Sequence, residues 1–128
     1  MKLHHIGLII KDLDTWEKNL IFEEKINDVI DPIQNSRLAL YKNFSEPYIE
    51  LIQPLNESAF TWNSLMKKGN HINHFCYFDI SEIQVQELAF QKKLIYLMGP
   101  IPALLFGNKS VMFYYTKNRE VIEFLITN

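Results

Sequence analysis

The sequence predicts an α+β fold built from two copies of one module, and two repeated stretches carry that prediction. His4-His5-Ile6-Gly7-Leu8 near the start recurs as Asn73-His74-Phe75-Cys76-Tyr77, and Tyr48-Ile49-Glu50-Leu51-Ile52 recurs as Val121-Ile122-Glu123-Phe124-Leu125. Each copy opens with a histidine and closes with a glutamate at closely similar spacing, and Tyr41 and Tyr114 stand equally far before Glu50 and Glu123. The order strand, helix, strands runs through both.

Taken in order, residues 3–10 alternate His5, Gly7 and Ile9 on one face with His4, Ile6, Leu8 and Ile10 on the other, the period of a strand. Asp14-Thr15-Trp16-Glu17 has the form of an acidic cap followed by glutamate, and Leu13, Trp16 and Leu20 keep helical spacing, so a helix is expected over about 13–25. Residues 27–35, with Pro32 among polar side chains, separate that helix from two strands at 36–42 and 47–52, paired through the turn at 43–46. Pro54 ends the second of these. Ser58 is placed to cap a short helix carrying Phe60, Trp62 and Leu65, with Gly69 to stop it.

The second copy begins with a strand at 71–78. Ser81-Glu82-Ile83-Gln84 is a capping box, opening a helix over 83–93 with Val85, Leu88 and Ala89 inward. Gly99-Pro100-Ile101-Pro102 cannot be a central strand, because both prolines lack the N–H that a ladder needs, whereas 110–115 and 121–126 form a closing pair. The expected organisation is a single domain, 1–128, with module one at about 2–55, a linker helix at about 56–69 and module two at about 70–128.

Composition narrows the class. A chain of 128 residues buries roughly two-thirds of its unfolded surface without staples. With 48% apolar and 22% charged residues it is neither disordered nor membrane-spanning in character, and a net charge of -2 supplies no basic surface for nucleic acid or anionic lipid. The one cysteine, Cys76, cannot form an internal disulfide, and the start of the chain lacks the apolar run of a signal peptide, so the cytoplasm is the expected compartment.

Alternation then locates chemistry. In a strand, His5, Glu50, His74 and Glu123 project opposite their apolar neighbours. If the apolar faces pack under the helices, the four polar side chains line a cleft on the other side of a curved sheet, where one metal ion would sit. Two nitrogen and two carboxylate donors suit one divalent ion such as Zn, Ni, Co, Mn or Fe, and suit calcium less. Open positions on such an ion polarise a carbonyl, and a carboxylate beside it serves as base for the neighbouring proton. His4 and His71 are offset by an odd number from His5 and His74, so they face away and are non-ligands. Phe44, Trp62 and Phe106 lie where an apolar side chain lines a pocket or a contact. Cys76 shares the face of His74 as a small buried thiol.

These same stretches, with Ile49-Glu50-Leu51-Ile52-Gln53-Pro54, resemble the vicinal oxygen chelate superfamily (glyoxalase, bleomycin resistance, dioxygenase), in its methylmalonyl-CoA epimerase and glyoxalase I branch, over nearly the whole chain. The resemblance implies paired βαβββ modules forming a curved, partly open mixed β-sheet barrel with helices on the outer face. It implies metal ligands at His5, Glu50, His74 and Glu123, with Glu123, or Glu50, as base. It also implies a homodimer acting on a small molecule, an acyl-CoA thioester or a 2-oxoaldehyde adduct. The expected activity is a metal-dependent isomerase or lyase of epimerase type. A glyoxalase I-like enzyme is the alternative, and a resistance-type binding protein or an extradiol dioxygenase the remoter ones. Asp31 is the candidate for a second acid-base group. The segment 100–107 is bulkier and more apolar than the small loop usual over substrate in that branch. Lys67, Lys68, Lys92 and Lys93 are the candidate cations for a CoA tail.

Overall fold

The computed structural model describes residues 1–127. Eight strands, β1 (Lys2–Ile9), β2 (Glu24–Asp31), β3 (Ser36–Lys42), β4 (Tyr48–Pro54), β5 (His71–Ile80), β6 (Ile95–Ala103), β7 (Lys109–Tyr115) and β8 (Val121–Ile126), form one curled mixed sheet in the order β2-β3-β4-β1-β5-β8-β7-β6. Strand β1 is parallel to β4, β5 is parallel to β8, and β1 and β5 meet antiparallel in the middle. The two ends of the order mirror each other about that central pair.

Three short helices, α1 (Leu13–Glu17), α2 (Trp62–Lys68) and α3 (Glu82–Lys92), and a 3₁₀ turn at Leu104–Phe106 complete the chain. The capping box at Ser81 forms as the sequence predicts, with Ser81 Oγ accepting from the Gln84 N–H and Gln84 Oε1 accepting from the Ser81 N–H. Gly69 ends α2 at φ +70, a left-handed conformation that glycine adopts without strain. Ser58 does not cap α2. Its hydroxyl donates to Asn56 Oδ1 at 2.7 Å in the preceding loop, and α2 starts after Thr61.

Two expectations fail here. The helix predicted over 13–25 stops at Glu17, and Glu24–Asp31, expected to fall between a helix and a loop, is strand β2. Sheet pairing overrides helical spacing: the Glu23 N–H donates to the Lys42 carbonyl at 2.8 Å, opening the β2–β3 ladder, while Phe22 turns inward against the Tyr41 ring. Strand β6, which the residue pattern did not mark, is the strand that a second βαβββ module requires. It holds Pro100 and Pro102 at the sheet's edge, pairing only with β7 and interrupted by irregularities on both sides of Met98, where missing N–H groups cost no ladder bond.

Hydrophobic burial splits by face. On the outer face, Leu13 of α1 covers Ile10, Ala39, Tyr41 and Leu51, and Val85 of α3 covers Ile80, Met112, Tyr114, Phe124 and Ile126. On the inner face, Ile9, Leu38, Leu40 and Ile52 enclose Leu65 of α2 and Leu105 of the 3₁₀ turn, and Cys76, Ala103, Val111, Phe113 and Leu125 form a second group. The concave side is therefore not an open cleft. It is packed with apolar side chains around a small polar centre.

Candidate metal centre

That centre is made by the four middle strands. His5 stands on β1, Glu50 on β4, His74 on β5 and Glu123 on β8. In the first parallel pair Gly7 is level with Glu50, and in the second Cys76 is level with Glu123, so each glutamate sits two residues along from its histidine, on the same face. The antiparallel joint sets Gly7 across from His74 and Cys76 across from His5. Strand alternation and this register bring all four side chains inward together.

The donor atoms converge closely. His5 Nε2 lies 3.1 Å from His74 Nε2, 3.0 Å from Glu123 Oε1 and 3.5 Å from Glu50 Oε1, while His74 Nε2 lies 3.1 Å from Glu123 Oε1 and 3.2 Å from Glu50 Oε1. Donors about 2.1 Å from a shared ion stand roughly 3.0 Å apart along an octahedral edge and roughly 3.4 Å along a tetrahedral one, so this spacing fits one transition-metal-sized cation. Glu123 Oε1 is buried beside both imidazoles yet accepts no hydrogen bond. An orphaned carboxylate oxygen among converging nitrogens is what a cation would satisfy. The donor set, two imidazoles and two carboxylates, could hold a divalent ion of the zinc, nickel, cobalt, manganese or iron kind.

The four donors govern one another's charge. None of the four residues is more than 4% exposed. Burial alone would push the imidazoles down, but Glu50 and Glu123 hold His5 above its ordinary value and His74 up to about 10. Burial likewise opposes ionisation of the carboxylates, and the facing histidines reverse this, holding Glu50 and Glu123 below the usual carboxylate range. Burial and the nearby carboxylates raise the Cys76 thiol well above its ordinary value, so it remains a neutral thiol.

The far nitrogens of both histidines are also held. His74 Nδ1 donates to Asn73 Oδ1 at 2.9 Å, which leaves Nε2 with the lone pair that a ligand needs. His5 Nδ1 lies 2.8 Å from His4 Nδ1. His4 was expected to face away. A shift in the β1–β5 register between Leu3 and His5 turns its ring beside His5, edge-on to Phe106, Tyr48 and Phe78. Burial and the neighbouring imidazole bring His4 down to about 4, so it stands neutral and able to accept from His5. His71 lies elsewhere, bonded to Ser64 Oγ and the Gly69 carbonyl.

Other expected residues fall outside the centre. Asp31 is buried at the end of β2, three strands from β1, and its carboxylate accepts from the backbone N–H groups of Ile33 and Gln34. It is spent on the β2–β3 turn.

Residues 4–92 match the family described as the Glyoxalase/Bleomycin resistance protein/Dioxygenase superfamily. The chain belongs to that superfamily. Among solved structures it is similar to methylmalonyl-CoA epimerase from Mycobacterium tuberculosis, at 21% identity and a TM-score of 0.83 over 99% of this chain and 88% of that one. It is also similar to a hypothetical protein from Bacillus halodurans C-125, at 22% identity and a TM-score of 0.81, covering 99% and 94%. A variant of Streptomyces coelicolor methylmalonyl-CoA epimerase in complex with 2-nitronate-propionyl-CoA aligns at 18% identity and a TM-score of 0.82, covering 99% and 97%. At these identities the likeness is one of fold. No curated protein matches in sequence.

Two parts of this superfamily member's centre lay beyond sequence reasoning. Phe106 stacks on His5 with ring centroids 5.3 Å apart and planes at 24°, closing the centre from the side of the 3₁₀ turn. The segment 100–107 was expected to make an apolar cover, but nothing local marked Phe106 as the ring over a histidine. Gly7 is the other. A Cβ built there would run into the His74 imidazole, so the glycine beside His5 in the repeated motif is a space requirement.

Proposed function

We propose that the chain is a metal-dependent proton-transfer enzyme of the epimerase type, acting on the carbon next to a thioester carbonyl. The observation that carries this is the convergence of His5, Glu50, His74 and Glu123 from four adjacent strands, with an unpartnered Glu123 oxygen among them. These four residues would hold one divalent ion. Bound there, the ion supplies Lewis acidity, favouring the negative charge that develops on a carbonyl oxygen when the adjacent carbon loses a proton.

The protein's own part is positioning and proton handling. Glu123, held ionised by the facing histidines, is the base that takes the proton. Epimerisation needs the proton to return to the opposite face. Asp31 is committed to its turn, so this falls to Glu50, which stands on β4 while Glu123 stands on β8, one on each side of the β1–β5 pair. His4 and Asn73 hold the imidazoles in the ligating tautomer. The apolar packing of Leu105, Phe106 and Phe113 excludes water, which strengthens every charge interaction within. Similarity in fold to methylmalonyl-CoA epimerases supports this choice over other chemistries of the superfamily.

The deciding experiment follows exchange of the substrate α-proton in deuterated solvent across acyl-CoA thioesters, using protein loaded with cobalt, nickel, zinc or manganese. Exchange that depends on the ion and disappears in Glu123→Gln is the expected result. Stoichiometric metal binding with no exchange in any thioester would remove the proton-transfer reading.

A further inference from the structure

Four cations of this protein gather around one groove. Lys67 and Lys68 end α2, while Lys117 and Arg119 sit in the turn joining β7 to β8, and together they line a concavity of about 580 Å³ with Phe60 and Tyr115. A second hollow of about 360 Å³ adjoins it, sharing Phe60, Ser64, Lys68, Tyr115 and Arg119, so the two are one continuous groove.

Thr116 builds the turn: its hydroxyl accepts from the backbone N–H groups of Asn118 and Glu120, and its carbonyl accepts from the Arg119 N–H. Arg119 is held at φ +62, a conformation that an arginine rarely takes.

The charge of this groove is not the surface average. The chain carries more acids than bases, 15 against 13, and its other arginine, Arg37, is paired with Asp14 and Asp28 while Lys25 is paired with Glu17 and Asp28. None of Lys67, Lys68, Lys117 and Arg119 has an ion pair among the described residues. No carboxylate lines the larger hollow, and Glu120 alone lines the smaller. Thr61 Oγ1, on a residue 3% exposed that also lines the smaller hollow, is buried without a partner. Between the cations stand two half-open rings, Phe60 at 46% and Tyr115 at 37% exposure.

We infer that this groove binds the phosphate-bearing end of a nucleotide-like ligand, with Lys67, Lys68, Lys117 and Arg119 on the phosphates and Phe60 or Tyr115 against the base. Unpaired arginine and lysine give charge-assisted bonds to phosphate oxygens, and exposed aromatic faces stack planar bases. The groove also adjoins the centre. Phe60 packs edge-on to Phe113, and Phe113 edge-on to His74, so one wall of the groove lies two ring contacts from a candidate metal ligand. That the bound end belongs to the substrate rests on the proposed function; the binding itself does not.

The test is titration of ADP, adenosine and inorganic phosphate into chelator-treated protein at low and high salt. ADP is expected to bind, to bind more weakly as salt rises, and to lose about tenfold or more in affinity in the double variant Lys68→Glu/Arg119→Glu. Adenosine is expected to bind far more weakly than ADP. The double variant Lys92→Glu/Lys93→Glu, at the end of α3 and outside the groove, is expected to bind ADP as the parent does. No ADP binding at low salt, or equal losses in the two variants, would overturn the assignment. Both pairs are exposed, and matching melting curves establish that each variant is folded. Because the ion is absent throughout, this result is separate from that of the exchange experiment.

Discussion

Gly7 on β1 lies directly across the central antiparallel pair from His74 on β5, and the space where its side chain would be is occupied by the imidazole. The equivalent place in the other half of the sheet, across from His5, holds the small Cys76. Both histidines thus stand over a small residue, and the steric demand is sharper at Gly7. Gly7→Ala is expected to displace His74, weaken divalent-ion binding by at least about tenfold and cost about 1–3 kcal/mol from overpacking. Chelator competition and a denaturant melt measure the two effects separately.

Glu123→Gln keeps the shape of the side chain and removes its charge. Loss of a positioned base is worth about a hundredfold to ten-thousandfold in rate, so α-proton exchange should fall at least that far while circular dichroism stays unchanged. Exchange at parent rates would reassign the base.

The orienting contacts predict a graded loss. Asn73→Ala frees His74 Nδ1, and His4→Ala frees His5 Nδ1. Each is expected to lower ion affinity by about tenfold to a hundredfold with little change in overall stability. Asn73→Asp, which keeps an acceptor at that place, should recover most of the loss.

Protonation gives a pH signature with a definite sign. Glu50 and Glu123 have lowered values when folded, so their contribution is present above the ordinary carboxylate range and fades as acid protonates them. His74 is raised from 6.5 to about 10, so its contribution is full below pH 6.5 and is lost as pH rises towards 10. Metal-free protein should therefore melt highest between the carboxylate range and pH 6.5, and progressively lower from there to pH 10. Ion binding runs the other way, because it needs neutral imidazoles; the rise in melting temperature on adding zinc should grow over the same interval. Melts with and without ion across this range test both slopes.

Phe106→Ala removes the ring stacked on His5. The expected outcome is a destabilisation of about 2–4 kcal/mol, less than for a fully buried phenylalanine because Phe106 is partly buried, together with faster chemical modification of His5. Unchanged reactivity of His5 would show that another side chain closes the centre.

The sequence revealed most where its pattern was doubled. The paired His and Glu motifs, the capping box at Ser81 and the closing strands needed only alternation and local hydrogen bonding, which a short window displays. Strand β2 was hidden because its apolar residues, Ile26, Val29 and Ile30, do not keep a clean alternation, and because its existence depends on pairing with β3. The end of α1 was hidden for a related reason: Leu20 keeps helical spacing, yet the chain leaves the helix so that Phe22 reaches Tyr41. The four convergent residues were visible, but not their surroundings. Phe106 on His5, His4 turned by a register shift and the cationic groove formed by α2 with the β7–β8 turn all join segments that are distant in the chain.

The strand order divides the molecule's labour. All four candidate ligands lie on β4, β1, β5 and β8, while β2, β3, β6, β7 and the 3₁₀ turn contribute walls and cover without a ligand among them. The periphery can therefore be recut for a different molecule while the middle stays fixed. An ion held across the β1–β5 joint would act as a rivet, drawing one histidine and one glutamate from each half. Opening either half would then strip the ion of two of its four protein donors, so a bound ion would make the two halves fail together.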